Sequence, residues 1–295
     1  MKIRQNLHIH SAHSCDSACA TLTDIQTEML RAGIKEFGVS DHFHTRYNMC
    51  DIESSKNDFF SAQRAKEFHF GIEVTCMAKW ECKNIAAGKF ERILDDPVYG
   101  LRYNDFDSNA DTSPCIDITA DDIERLGIEY VIGGVHWPLN NKLDRDGLLD
   151  DAFKQHLYLI ENPLVDILAH PWDILETMVV WNDWTGVTGK GRFNYDVADL
   201  DVFNEIAPLS DKLLEAILKN NKYVELNVPV LTNQRRPLKI RRQMMQLMAE
   251  WREAGVKFTI GTDQHSAHHT QNLACFEMLL DAYGFKEENI GYLFD

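Results

Sequence analysis

Leu7-His8-Ile9-His10, near the start of the chain, and Gly261-Thr262-Asp263-Gln264-His265, near its end, decide how the sequence reads. Each stretch holds two side chains that can bind a metal, placed two residues apart. On a β-strand that spacing turns both toward one face, because side chains alternate with period two. Two such pairs at opposite ends of a chain, with single His and Glu residues at the ends of apolar runs between them, predict a donor cluster assembled where a barrel closes.

Working outward, seven strand-like runs recur: Ile3–His10, Phe37–His42, Phe68–Val74, Tyr130–Trp137, Val165–His170, Tyr223–Val228 and Lys257–Asp263. Several, such as Val165-Asp166-Ile167-Leu168-Ala169, are almost wholly apolar, as strands buried on both faces of a parallel sheet are. Helical patterns separate them. Thr23, with Gln26 in the capping-box position, is expected to open a helix that buries Ile25, Met29 and Ala32 and stops at Gly33. Thr119 opens another that stops at Gly127. Ser210 is expected to cap a helix carrying Leu213, Leu214, Ile217 and Leu218 and ending at Asn220 and Asn221. Pro237 suits a first turn and Gly255 the matching stop. Met244, Met245, Leu247, Met248 and Trp251 share a helical face and read as core. This alternation predicts parallel β/α units. Two segments, about 76–114 and 172–208, break the rhythm and are expected to be insertions over one end of a single barrel domain spanning 1–295.

The bulk properties restrict the function. At 295 residues the chain fits one α/β barrel, and 44% hydrophobic with 26% charged residues marks an ordinary globular composition. A formal charge of −16 disfavours nucleic acid and anionic membranes as partners. Met1–Asn6 lacks the apolar stretch of a signal peptide, and no run reaches membrane-spanning length, so a cytoplasmic location is expected. The 7 cysteines are odd in number and scattered, and so read as free thiols of a reducing compartment, with Cys15 and Cys19 near a turn. No Gly-x-Ser-x-Gly elbow, His-Glu-x-x-His or dinucleotide glycine fingerprint occurs, which argues against a serine hydrolase or an oxidoreductase.

Donor residues gather at the C-terminal ends of the runs. His8 and His10 end the first, with Asp16 just beyond. Asp41-His42, Glu73, His136, His170, and Asp263 with His265 end others. Catalytic groups of β/α barrels lie at that end of the strands, so these side chains are expected to converge. Imidazole and carboxylate without thiolate suit Zn, Mn or Fe(II).

The ordered set His-x-His, Asp, Ser-Asp-His, Gly-x-Glu, Gly-x-Val-His, Ala-His-Pro and Gly-Thr-Asp-x-His, running from His8 to His265, resembles the PHP (polymerase and histidinol phosphatase) superfamily. The resemblance implies a distorted (β/α)7 TIM-like barrel, three divalent metal ions and phosphate-ester hydrolysis. By motif, His8, His10, Glu73 and Asp263 would hold one ion. Glu73 would bridge to a second held by His136 and His170, and Asp16, His42 and His265 would hold the third. Glu73, Asp263 and His265 would then lie closest to the chemistry. Three divalent ions bring about +6 against three carboxylates, leaving roughly +3 in a pocket that favours phosphate anions. A metal-bridging hydroxide would attack phosphorus in line. The sixth run, Val224-Glu225-Leu226-Asn227, offers no obvious ligand, although Asn227 matches a Glu-x-Asn pattern common in the family's phosphatases.

Arg235 and Arg236, in the loop after the sixth run, correspond in place to a phosphate contact of related phosphatases; the competing reading is a solvated loop charge. Gly189-Lys190-Gly191-Arg192 offers Lys190 or Arg192 as a further clamp without matching a nucleotide loop. His13 and His44 lie near ligands and could serve as the acid for the leaving group, though a surface role is the expectation for each. His268 and His269 read as exposed. Trp172, Trp181 and Trp184 would hold the second insertion to the barrel or wall a substrate pocket. The expected substrate is a small phosphomonoester such as histidinol phosphate, a sugar phosphate or a nucleotide-like compound. The alternatives are a phosphodiesterase or nuclease on single-stranded ends, and a non-catalytic module that uses metals only to fold.

Overall fold

The described residues form nine strands and nine α-helices, numbered in chain order. The strands are β1 (Gln5–Asn6), β2 (Glu36–Phe43), β3 (Phe68–Thr75), β4 (Met77–Ala78), β5 (Pro114–Cys115), β6 (Tyr130–Gly134), β7 (Ile167–Leu168), β8 (Tyr223–Asn227) and β9 (Phe258–Gly261). The helices are α1 (Leu22–Ala32), α2 (Met49–Ser61), α3 (Lys79–Ala86), α4 (Ala120–Leu126), α5 (Arg145–Glu161), α6 (Val202–Asn220), α7 (Val228–Thr232), α8 (Leu238–Glu253) and α9 (Leu273–Ala282). They belong to a computed structural model that describes residues 1–17, 20–88, 110–139, 145–173, 202–233, 238–265 and 273–294.

Seven strands form one parallel sheet in the order β1-β2-β3-β6-β7-β8-β9. Its ends meet across a seam: Leu7 N donates to Ile260 O at 3.0 Å, Asp263 N to His8 O at 2.8 Å and His10 N to Gln264 O at 3.2 Å. The result is the distorted (β/α)7 barrel expected from the sequence. Its longest pair, β2 and β3, is fully in register from Phe37↔Phe68 to Phe43↔Val74, and both strands are buried along nearly their whole length, as a two-faced parallel strand must be.

Several strands are shorter than the apolar runs that contain them, because side chains take over positions of the ladder. Around β1, Gln5 Oε1 accepts from Ile260 N at 2.9 Å and Asn6 Oδ1 from Thr262 N at 3.0 Å. Ile9 N donates to Ser40 Oγ at 3.2 Å. Around β7, Asp166 Oδ2 accepts from Val131 N at 2.9 Å, and Glu225 Oε2 accepts from His170 N at 2.8 Å. The run 3–10 therefore keeps only Gln5–Asn6 as regular strand, and 165–170 only Ile167–Leu168.

The helix boundaries depart from expectation in two places. α1 is capped by Thr21, whose side chain accepts from Asp24 N, not by Thr23; the earlier start brings Leu22 onto the buried face with Ile25 and Met29. Ser210 does not start a helix. α6 begins at Val202 and continues through Pro208, because Ile206 extends the buried face of Leu213 and Ile217 by two turns, and Ser210 is buried within it. α4 agrees with the reading, with a reciprocal Thr119/Asp122 capping box and Gly127 in the left-handed region at φ +70°. Met244, Met245, Leu247, Met248 and Trp251 of α8 face the core as expected.

Of the segments expected to be insertions, 76–114 opens with β4, α3 and the antiparallel pairing of β4 with β5, and residues 89–109 lie outside the described residues. In 172–208, Trp172 is buried and residues 202–208 belong to α6, while Trp181, Trp184 and the rest of 174–201 lie outside. Cys19 and Pro237 also lie outside; the six described cysteines are free. No described helix is long and apolar enough to cross a membrane.

A tyrosine plugs the barrel below the strand ends. The Tyr130 hydroxyl donates within reach of Leu7 O at 2.6 Å and Val39 O at 3.1 Å, and the ring packs with Leu7, Ile132, Ile167 and Ala169. Gly38 and Gly71 make room for it, since a Cβ on either would collide with the ring. Gly71→Ala should therefore destabilise the fold by about 1–3 kcal/mol, the usual cost of overpacking. The loss should shrink in a Tyr130→Leu background. Urea denaturation of the four proteins of this cycle measures it, and equal losses in both backgrounds would place the clash elsewhere.

Candidate metal centre

Glu73, near the C-terminal end of β3, has no solvent exposure and stands among five imidazoles. Its Oε2 lies 3.1 Å from His8 Nε2, 3.6 Å from His10 Nε2 and 2.8 Å from His42 Nδ1. Its Oε1 lies 3.0 Å from His136 Nε2 and 3.1 Å from His170 Nε2. These side chains arrive from β2 and from the chain just past β1, β6 and β7. Gly134 leaves the space in which Glu73 and His136 meet, for a Cβ there would fall 2.7 Å from Glu73 Oε1.

Beyond β9 the chain bends sharply, with Asp263 at φ +47°, and His170 past β7 has φ +22°. Neither residue is glycine, so both backbones carry strain of the kind that collects at functional sites. The bend at Asp263 brings its Oδ1 to 3.1 Å from His10 Nε2 and 3.4 Å from His8 Nε2. On the outer side Asp16 Oδ2 stands 3.2 Å from His42 Nε2 and 3.0 Å from His265 Nε2.

All nine donors named from the sequence thus converge at one end of the barrel. Three groupings have mutually close donor atoms: His8, His10, Glu73 and Asp263; His10, Asp16, His42 and His265; and His42, Glu73 and His136. His10 and His42 are each shared between two groupings, where the motifs gave each one role, and His170, expected beside Glu73 and His136, belongs to none of the three, His42 standing in its place.

The donors fit divalent ions. Two donors about 2.0–2.1 Å from a zinc ion at the tetrahedral angle stand roughly 3.3–3.4 Å apart. The His8–His10 Nε2 separation is 3.1 Å and the His42–His265 separation 3.4 Å. Four rings also have their second nitrogen anchored, which directs Nε2 inward. His8 Nδ1 pairs with Glu225 Oε1 at 2.7 Å, His10 Nδ1 with Ser14 Oγ at 3.3 Å, His136 Nδ1 with Thr75 Oγ1 at 2.8 Å and His265 Nδ1 with Asp263 O at 3.1 Å. Outer-shell partners of this type fix the tautomer that leaves Nε2 free to ligate. Glu73 Oε2 and His170 Nδ1 are buried without a hydrogen-bond partner among the described residues.

The electrostatics describe a cluster held together by protons when no ion is bound. Burial alone would raise Glu73, but His8, His42 and His136 hold it well below the usual carboxylate range. Burial would likewise raise Asp263, which His8 and His10 hold well down. Burial works to lower His42, yet Glu73 and Asp16 outweigh it and push it up to about 10. His170 is pushed up to about 9 by Glu73 against the same burial effect. Burial and the neighbouring His42 lower His10 to about 3.

Two histidines outside the donor set are sorted by the structure. His13 is partly exposed and pairs with Asp58 Oδ2 at 2.8 Å. His44, expected at the surface, is buried, because the β2 end that presents His42 carries it under Trp137 and onto Thr75 Oγ1 at 2.6 Å. Burial and then His42 lower its pKa well below the ordinary value, so it is neutral. The Thr75 hydroxyl can then accept from His136 Nδ1 and donate to His44 Nδ1.

The main residue missed in the sequence is Glu225. It is buried, orients His8 and receives His170 N, and Asn227 Nδ2 donates to it at 3.2 Å and to Asp263 Oδ2 at 3.1 Å. The alternation of β8 was the available signal, since Glu225 and Asn227 share the inward face. Arg192, Arg235, Arg236, Lys190, His268 and His269 lie outside the described residues.

The family model for the PHP domain matches residues 6–229. No curated protein matches the sequence. Among solved structures, the chain is similar to histidinol phosphate phosphatase from Lactococcus lactis subsp. lactis Il1403, complexed with zinc, L-histidinol and phosphate. The TM-score is 0.55 at 14% identity, covering 97% of this chain and 95% of that one. A Listeria monocytogenes protein assigned as a histidinol phosphatase gives a TM-score of 0.52 at 12% identity, covering 90% of this chain and 97% of that one. At these identities the likeness is one of fold.

Two outcomes follow for ion binding. Because His42 and His170 titrate near 10 and 9 in the ion-free protein, they carry protons at neutral pH that a bound ion must displace. Zinc binding should release protons, and affinity should rise with pH between about 6 and 8. Calorimetry in buffers of different ionisation enthalpy reads this directly, and buffer-independent heats would contradict it. Glu225→Gln should weaken ion affinity roughly 10–100-fold with the fold intact, as loss of an outer-shell partner does. Competition with a chromogenic chelator measures it.

Proposed function

The chain belongs to the PHP domain family, and from that premise we propose that it is a metal-dependent phosphoesterase acting on a small phosphomonoester. The observation that carries the reading is the convergence on buried Glu73 of five imidazoles, flanked by Asp16 and Asp263. A set of this kind, rich in imidazole and carboxylate and free of thiolate, suits zinc, manganese or iron.

In this reading His8, His10, Glu73 and Asp263 hold one ion, Glu73, His136 and His170 a second, and Asp16, His42 and His265 a third. Divalent ions so held would make water a nucleophile at neutral pH and offset charge on the phosphoryl oxygens. The protein's own part is to fix the donors. Glu225 keeps the proton of His8 on Nδ1, and Asn227 ties Asp263 Oδ2 in place. Thr75 anchors His136 in the same way. The formal charge of −16, summed over the whole chain, works against long polyanions, so a small monoester is favoured over a nucleic-acid strand. Arg235, Arg236 and Arg192 are the proposed grips on a terminal phosphate. The fold relative from Lactococcus lactis, complexed with L-histidinol and phosphate, makes histidinol phosphate the first substrate to try.

A phosphate-release screen over phosphorylated metabolites, run with zinc- or manganese-reconstituted protein, tests the reading. Small monoesters should be hydrolysed and bis(p-nitrophenyl) phosphate should be poorer. A diester preference would overturn the monoesterase assignment. Glu73→Gln should cut kcat by well over the roughly 100-fold typical of losing an outer-shell partner, because it disturbs two proposed ion positions at once. His13→Ala should leave kcat within a few-fold, since its ring faces Asp58. Equal losses in both variants, each folded and metal-loaded, would show the ligand assignment to be wrong.

A further inference from the structure

A second cavity lies on the outer wall of the barrel, between α7, α8 and α9. Its volume is about 320 Å³, and its walls include Leu231, Leu238, Met245, Leu279 and Tyr283. Two arginines, Arg241 and Arg242, also line it, one turn into α8. None of these residues belongs to the metal-donor set.

One of these arginines carries a buried donor without a partner among the described residues. Neither of these makes an ion pair or hydrogen bond with a described residue, and Arg241 Nε is buried with no partner. The acidic side chains of α8 and α9 are engaged elsewhere. On α9, Glu277 accepts from Ile3 N at 2.9 Å and Asp281 pairs with the N-terminal ammonium. On α8, Glu250 accepts from Gln246 Nε2 at 3.0 Å and Glu253 pairs with Arg252. Arg241 is half-buried and Arg242 exposed, so the Arg241 Nε is the one donor that burial removes from water without supplying an acceptor, a costly arrangement. The first turn of α8 adds the positive end of a helix dipole.

From these observations we propose a second binding site, for a small organic anion with an apolar body, in the cavity between α7, α8 and α9. The acidic end of the ligand pairs with Arg241 and Arg242, the former through its free Nε, and the body packs on Leu231, Met245, Leu279 and Tyr283. The volume fits a single ring system or short aliphatic chain and is at the lower end of ordinary small-molecule pockets. Inorganic phosphate alone would leave the apolar walls wet, so the site discriminates against it. The cavity also shares an element with the metal centre. Leu231 and Thr232 lie in α7, whose N-cap is Asn227, the residue that ties Asp263. The site's existence does not rest on the phosphoesterase reading, and the test separates the two.

The probe is 1-anilinonaphthalene-8-sulfonate, an aromatic monoanion, titrated into the metal-loaded full chain and followed by fluorescence and calorimetry. One saturable site is expected. Arg241→Met should weaken it by about tenfold or more, the loss of a charge-assisted contact, while Arg241→Lys retains part of the affinity. N-phenyl-1-naphthylamine, with the same rings and no sulfonate, should bind more weakly and be indifferent to Arg241→Met. Cys275→Trp, which fills the cavity from α9, should abolish binding, with circular dichroism and the melting temperature confirming that each variant is folded. Unchanged probe affinity in an Arg241→Met/Arg242→Met protein would overturn the proposal. So would displacement of the probe by millimolar inorganic phosphate or by chelation of the metals, either of which would put the probe at the metal centre.

Discussion

Burying the Glu73 carboxylate is the constraint around which the barrel is arranged. An ionised carboxylate moved out of water without compensation costs many kcal/mol, and a protein ordinarily neutralises such a group by protonating it. Here the surrounding imidazoles hold it ionised instead. Compensation comes from five rings on four neighbouring parts of the sheet, so the charge is satisfied only when the strands have closed in their native order. The same closure brings His8 and His10 beside Asp263, since the hydrogen bond from Asp263 N to His8 O is itself part of the seam. Barrel closure and assembly of the donor cluster are one event.

That coupling accounts for the irregular strands. A barrel with a uniform ladder would leave little freedom to aim nine donors at one space. β1 and β7 are the shortest strands of the sheet, and next to them Gln5, Asn6, Ser40, Asp166 and Glu225 supply hydrogen bonds that a longer ladder would have made. Each substitution lets the chain leave the pleat early while its backbone groups remain bonded. His170 and Asp263 use the freedom most, adopting positive φ that the cluster's contacts hold in place. Glu225 joins both functions, accepting the backbone N–H of His170 with one oxygen and fixing His8 with the other.

Much of this was legible in the sequence because it depends on period. Two donors at alternate positions of a strand must share a face, and strand ends in a parallel barrel must converge, so the candidate donors could be named before any coordinate, and the family resemblance picked nine of them. The family resemblance read from the same motifs holds. What was not legible depends on contacts far apart in the chain. Thr21 and Thr23 are equivalent caps locally, and only burial of Leu22 against the barrel selects the first. Ser210 has every local attribute of a cap, but Ile206 draws the helix past it. His44 looked like a surface residue because nothing nearby in sequence predicts Trp137 above it. Glu225 was passed over because it contacts His8 across 217 positions of sequence.

The distribution of charge completes the argument. With the proposed ions bound, a strongly acidic protein would repel large polyanions at long range yet present a small anion with a deep local attraction once it entered the pocket. Ionic strength acts differently on the two effects, because repulsion at the exposed surface is screened within a Debye length of about 8–10 Å, whereas donors buried like Glu73, His8 and His10 are screened far less. Selection for small substrates would then come partly from the acidic shell and not only from the shape of the pocket. On the proposed reading, few side chains would need to sense phosphate, because the net negative charge would already disfavour the competing polyanions.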